Sequence, residues 1–386
     1  MTVIESNPRT PRRTLMETET LRQLRETSIA CLMEHQHQSG AFPASPTFSQ
    51  YGYSWLRDGT YIAYSLLLIG QIERCWLFIE WVARTVTRHA AKIERLPGLL
   101  AEGPQVEKKA FLGARYTVEG EEDDTDWPNF QIDGYGSYLW LIDRYLELTD
   151  AKTLPMDWVG PVQAVIHYLG MVWQLPNSDC WEEFADQRHP ATLACLSGGL
   201  QAIARWVGPA VRREAEKLAS DIKQFILDNR HPDGFFPKYL GSETIDASLI
   251  WLSIPYGVFP PGDPAIVQTV RRIEQELLGN DGGVQRYPQD TYYGGGLWIP
   301  LAAFLGWYYL ATDRPQDARR QLDWIVRQQT SNGLLPEQVL DHTNEPSMIK
   351  PWEERWGGVA TPLLWSHAMF LILDFELSRY NHVKGE

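Results

Sequence analysis

Residues 177–200 read NSDCWEEFADQRHPATLACLSGGL, and the way this stretch divides sets the pattern for the whole chain. It opens on turn chemistry, because the side chains of Asn177, Ser178 and Asp179 hydrogen-bond nearby backbone. Trp181 then stands beside two consecutive carboxylates, Glu182 and Glu183. From about Ala191 the residues become small and apolar, which predicts a packed helix. A carboxyl pressed against an indole, just ahead of a buried helix, sits where a pKa rises and a general acid becomes available. In a solvated loop the same glutamates would be ordinary surface charges. A second WEE at Trp352–Glu354 shows that the triplet alone decides nothing.

The alternation of loop and helix extends in both directions. Apolar spacing predicts helices over about 15–37, 60–70, 72–90, 135–149 and 158–174 upstream. Downstream it predicts them over about 190–206, 209–229, 245–253, 264–278, 297–311, 315–330 and 361–380. Between them lie long loops carrying aromatic and charged residues: SGAFPASPTFSQYGYSWLRDG, an acidic connection over 95–130, the WEE loop, HPDGFFPKYLGSE, GGVQRYPQDTYYGGG, and NGLLPEQVLDHTNEP with the Pro/Trp/Gly-rich stretch after it. The return turns are short, as in GPAV at 208–211 and DRP at 313–315. About twelve helices in loop–helix–turn–helix order predict an all-α toroid of helical hairpins with its long loops at one end. An open helical solenoid would use the same helices but needs no polar, glycine-rich loops gathered on one face. Residues 1–14, polar and basic, are expected to form a disordered N-terminal segment, and 15–386, which no linker divides, a single domain.

Composition narrows the function. The 386 residues are 44% hydrophobic and 22% charged, as in a globular protein. A formal net charge of −14 argues against nucleic acid or an anionic membrane surface as partner and is compatible with a neutral substrate. Sixteen Trp and seventeen Tyr supply flat faces that suit sugar rings, as well as core. Cys31, Cys75, Cys180 and Cys195 form no CxxC pair and read as buried free thiols of a reducing compartment. With no apolar leader and no run of 18 apolar residues, a cytoplasmic location is expected.

The candidate chemistry lies in the loops. Tyr51, Tyr53, Trp55, Arg57 and Asp58 stand together, where a carboxylate, a guanidinium and aromatic rings could grip sugar hydroxyls. Equally, Asp58 could cap the helix that follows. Trp127, Asn129, Gln131 and Asp133 form a second cluster, although Asp133–Gly134 is also ordinary turn chemistry. Arg286, Asp290, Tyr292 and Tyr293 precede three glycines that let backbone approach a ligand. Glu337 in LLPEQ, in a different long loop from Glu182, is its natural partner for acetal cleavage, which needs two carboxyl groups, although it could equally be a loop charge. His342 and His367 read as satisfied loop or core groups. There is no GxxxxGK[ST], GxGxxG or HExxH, so neither a metal nor an organic cofactor is expected.

Taken together, YGYSWLRDG, NFQIDGYG, CWEE, GGVQRYPQDTYYGGGLW, LLPEQ and PLLWSHA, in this order from about Tyr51 to His367, resemble the glucoamylase family, the inverting exo-α-glucosidases of glycoside hydrolase family 15. The resemblance implies an (α/α)6 barrel with its site at the end carrying the long loops. It implies Glu182 as general acid and Glu337 as the base that activates water. Arg57 and Asp58 would hold the non-reducing-end glucose over Tyr51 and Trp55. Trp127, Gln131, Asp133, Trp181, Glu183, Arg286, Tyr292 and Trp298 would complete the substrate contacts. Gln289 departs from the glutamate of many members. With no room for an added domain, short α-gluco-oligosaccharides are the expected substrates, with a lean to α-1,6-linked isomaltose. The alternatives are a maltooligosaccharide glucoamylase, a trehalase, or a sugar-binding protein without activity.

Overall fold

The computed structural model describes residues 10–103, 106–122 and 125–385, with side chains from Glu19 onward. Most of the expected frayed segment therefore lies outside the described residues. The first helix, α1 (Thr10–Glu34), starts earlier than predicted, with Pro11 in its first turn, where a missing N–H costs nothing.

Thirteen α-helices are present among the described residues, and six inner elements form a closed ring. In order these are α2 (Leu56–Leu68), α5 (Asp133–Leu148), α7 (Pro190–Ile203), a 3-10 helix (Ala247–Leu252), α10 (Ile299–Ala311) and α13 (Leu364–Lys384). Each packs on the next, and α13 packs back on α2. Outside them run α1, α3 (Ile72–Arg88), α6 (Met156–Val172), α8 (Pro209–Asp228), α9 (Pro264–Glu276) and α11 (Pro315–Arg327). This is the (α/α)6 barrel, and composition explains which helix goes where. α10, IPLAAFLGWYYLA, is buried at 11 of its 13 positions, so only the ring interior accommodates it. α11, PQDARRQLDWIVR, buries one stripe through Ala318, Leu322 and Ile325 and leaves its charged face to water.

The fourth inner element is a 3-10 helix rather than the α-helix expected over 245–253. Pro255 disfavours helical backbone at Ile254, so the segment stops after six residues, capped by the Asp246 side chain. The small residues of α7 also find their reason. A Cβ on Gly199 would lie 2.0 Å from the Gly136 carbonyl oxygen, and one on Gly136 would lie 2.3 Å from that of Cys195. The backbones of α5 and α7 therefore touch at a spacing only glycine permits.

Two helices fall where loops were expected. α4 (Ala90–Glu102) runs through Pro97 and occupies the start of the acidic connection. α12 (Ile349–Trp356) occupies the Pro/Trp/Gly-rich loop before α13. Each long connection leads from an outer element to the N-terminus of an inner one, so all six gather at one end of the ring.

Candidate active site

Two of the long loops end in two-residue strands that deliver a tryptophan to the start of an inner helix. β1 (Ser54–Trp55) pairs antiparallel with β2 (Arg115–Tyr116), and α2 begins at the next residue. β3 (Leu297–Trp298) pairs with β4 (Gln338–Val339) ahead of α10. Trp365 lies in the first turn of α13. Their rings line a cavity of about 330 Å³ at the loop end of the barrel. Tyr51, Arg57, Asp58, Trp127, Trp181, Glu182, Glu183, Arg286, Tyr292 and Glu337 also line it, so twelve of the fourteen expected site residues meet in one place.

Gln131 and Asp133, expected among the sugar contacts, are not on the cavity wall; they stand behind it. Arg57 donates through Nη1 to Gln131 at 3.3 Å and to Asp133 at 3.2 Å. Its Nε donates to Asp58 at 3.1 Å, and its Nη2 lies 3.6 Å from Glu182. Asp58 is not the N-cap of α2, a place taken by Trp55, but lies in its first turn, where a negative charge faces the positive end of the helix. Gln289 is exposed and off the cavity wall.

The loop carrying Glu182 is tied from beneath. Asp179 Oδ1 accepts the backbone N–H of both Trp181 and Glu183, each at 2.9 Å. This turn holds Glu182 at a φ of +63°, a left-handed conformation rare outside glycine, which persists only where neighbours over-determine it. Lys238, buried in the loop before the 3-10 helix, donates to Asp179 at 2.9 Å and to Asp246 at 2.7 Å. Asp246 also accepts the Trp181 indole N–H at 3.0 Å. Burial is the largest influence on the Asp179 carboxyl and would raise it, but the Lys238 ammonium together with the neighbouring groups, among them the Glu183 N–H it accepts, holds that pKa below its ordinary value. Glu183 is held by Arg286 at 3.3 Å and the Tyr287 hydroxyl at 2.5 Å.

Glu182 Oε1 accepts from the Trp55 indole and from Gln131 Nε2, both at 3.1 Å. Burial nonetheless pushes its pKa up to about 7, with Arg57 and Gln131 pulling the other way. Glu337 is 2% exposed, accepts from the Tyr51 hydroxyl at 3.0 Å, and its Oε2 has no described protein partner. Burial pushes it further, to about 8, against the weaker pull of Tyr51 and Arg286. Its segment is fixed by α13: the Leu335 N–H donates to His367 Nε2 at 3.0 Å and Ser366 Oγ to the Pro336 carbonyl at 2.7 Å. His367, buried and neutral, is thus the satisfied core histidine expected.

Sequence reasoning missed four side chains. Trp352, Arg355 and Trp356 of α12 line the cavity, so the second WEE borders the same site as the first. Arg115 is sandwiched 4.1 Å from the Tyr53 ring and 4.0 Å from that of Trp127, behind Trp55 at 4.9 Å. The interleaved aromatics at 51, 53, 55 and 127 were the signal that could have found it. Among the described residues no three His, Cys, Asp or Glu side chains are placed to hold a metal ion, and no helix is long and apolar enough to cross a membrane.

Residues 23–313 match the family model of Glycosyl hydrolases family 15. The isomaltose glucohydrolase of Kribbella flavida is 36% identical over 92% of this chain and 93% of its own length. Trehalase 2 of Sulfolobus acidocaldarius is 25% identical over 80% of this chain and 57% of its own. A solved structure of a wild-type glycosidase superposes with a TM-score of 0.90 at 35% identity, covering 94% of this chain and 98% of that one.

Proposed function

The chain belongs to glycoside hydrolase family 15 and is a glycoside hydrolase, and on that premise we propose that it is an inverting, exo-acting α-glucosidase of short α-gluco-oligosaccharides, above all of α-1,6-linked isomaltose. One observation carries the reading: two buried carboxyl groups with raised pKa, from different loops, line one cavity of about 330 Å³. That volume is at the small end for ligand sites and favours one or two sugar rings over a polymer. The similarity to an isomaltose glucohydrolase supports the linkage.

In this reading Glu182 protonates the leaving glycosidic oxygen and Glu337 takes a proton from the water that attacks the opposite face. Arg57 and Asp58 bind hydroxyls of the terminal glucose, with Tyr51, Trp55 and Trp298 as its aromatic walls and Trp127 on the border with the leaving sugar. Trp181, Glu183, Arg286 and Tyr292 serve the leaving sugar, while Gln131 and Asp133 act through Arg57 and Glu182. The carboxyl with the higher pKa is the assigned base, opposite to the order a resting base requires. Both a water donating to Oε2 and the positive charge of an oxocarbenium-like transition state favour its ionised form.

Proton NMR during hydrolysis of isomaltose, maltose and trehalose in parallel tests this. β-Glucose formed first, and fastest from isomaltose, is the expected result. α-Glucose first would overturn the acid–base pairing. Trehalose turned over fastest would favour a trehalase, the reading that the trehalase relatives support.

A further inference from the structure

α12 lies across the outer end of the cavity. The inner end is closed by Arg57, Asp58, Cys180 and Trp365, all at most 5% exposed, whereas Trp127 and Trp356 are half-buried and Arg355 is exposed. Trp127 and Trp356 come from loops more than two hundred residues apart, yet their rings stack at 6.1 Å with planes 29° apart. That spacing leaves no room for a sugar ring between them. Phe48 meets the Trp356 ring edge-on at 6.4 Å, Tyr292 packs at 6.2 Å, and the Arg355 guanidinium lies 4.6 Å over it. Three long loops and its own helix therefore hold this ring, and it behaves as a fixed wall.

The helix itself does not depend on that ring. The Trp352 indole N–H donates to the Thr291 carbonyl at 2.9 Å, and the Tyr293 hydroxyl donates to the Gly357 carbonyl at 2.7 Å. Ile349 packs against Gly294, where a Cβ would come within 2.9 Å of it. Truncating Trp356 thus opens the wall while the anchors of α12 remain. Meanwhile Arg355 makes no hydrogen bond or ion pair among the described residues, so its donors are available to the hydroxyls of a leaving sugar.

We propose that Trp356, clasped against Trp127, determines substrate length: it ends the cavity one sugar beyond the scissile bond and so favours disaccharides over longer chains. This inference rests on the reading of the site as an exo-acting α-glucosidase and adds the residue that sets its size limit. A chain of three or more units has to pass the position of the Trp356 ring, and a rigid wall rejects what it does not fit more effectively than it favours what it does.

The test is kcat/KM for Trp356→Ala, Trp356→Phe and the unaltered protein on isomalto- and malto-oligosaccharides of two to five units. Trp356→Ala is expected to raise the ratio of three-unit to two-unit turnover about tenfold or more, with Trp356→Phe in between. A ratio that stays within about twofold, or an equal loss at every length, would overturn the length filter and leave the hydrolase reading standing. Failure of the unaltered protein to cleave any member of either series would overturn the substrate reading and the filter with it. Because the readout is a ratio measured on one preparation, partial unfolding of a variant cancels.

Discussion

The two halves of the site bury a carboxyl each, and they do so in opposite ways. The Glu182 loop is crowded with charge. Its carboxyl accepts from an indole and an amide, faces Arg57, and hangs on a turn tied through Asp179 to Lys238 and Asp246. The Glu337 segment is held by its backbone, with the Glu337 N–H on the Ala360 carbonyl and its own carbonyl accepting the N–H of Ile299, while the carboxyl meets the phenols of Tyr51 and Tyr292 and its buried Oε2 has no partner among the described residues. A carboxyl that must deliver a proton to a defined oxygen needs its direction fixed. One that must meet water needs an open lone pair. The contrast between the two surroundings fits the roles proposed for Glu182 and Glu337.

The sharpest way to break this comparison is to remove each carboxyl in turn. Glu182→Gln and Glu337→Gln are each expected to lower kcat on a disaccharide by about 10²–10⁴-fold, the usual share of general acid–base catalysis. A 4-nitrophenyl α-glucoside, whose leaving group needs no proton, separates them in steady-state assays. Glu182→Gln keeps most of its activity on that substrate and Glu337→Gln does not. Equal losses on both substrates would mean that the two sides do not differ in role.

Next in size is Lys238→Met, which leaves Asp179 and Asp246 as buried charges without their cation. Chemical denaturation should show a loss of about 3–5 kcal/mol. Because the turn beneath Glu182 depends on Asp179 while the Glu337 segment does not, disaccharide turnover should fall more than that of the nitrophenyl glucoside.

A smaller effect separates the two by pH. Glu337 near 8 and Glu182 near 7 both lie above the ordinary 4.5. The folded protein therefore holds these protons more tightly than the unfolded chain, and burial of the pair costs stability progressively as pH rises from about 4.5 towards 8. Glu337→Gln removes one such cost. Its melting temperature relative to the unaltered protein should rise from pH 5 to pH 8, and a flat difference would contradict the burial described. His367, held near 3 by burial, acts in the opposite sense below 6.5, which is why the difference between the two proteins is the quantity to read.

Much of this was legible in the residues themselves. The hairpin rhythm showed because inner helices such as α10 are apolar all round and every long loop is rich in turn formers. α4 and α12 were missed because Pro97–Gly98 and Pro351 read as breakers, yet a packed neighbour overrides a local preference. Glu182 and Glu337 could be singled out by their apolar contexts. Depth could not: Gln131 and Asp133 have the right chemistry for sugar, and only the path of α5 puts them behind Arg57. Lys238 was invisible, since a lone lysine in KYLGSE acquires its role from an aspartate 59 residues away.

The ring of inner helices closes between its last member and its first, and that has a consequence for biosynthesis. Arg25 of α1 pairs with Asp374 of α13 at 2.6 Å, and Ser28 meets His367 at 2.8 Å. A chain emerging from the ribosome can stack its early hairpins in order, but these contacts and the α13–α2 seam must wait for α13. Until then the apolar flanks of α2 and α10 lack their last neighbour, and the segment bearing Glu337 lacks the histidine that fixes it. Until α13 has emerged, neither the seam of the barrel nor the support of the Glu337 segment is complete.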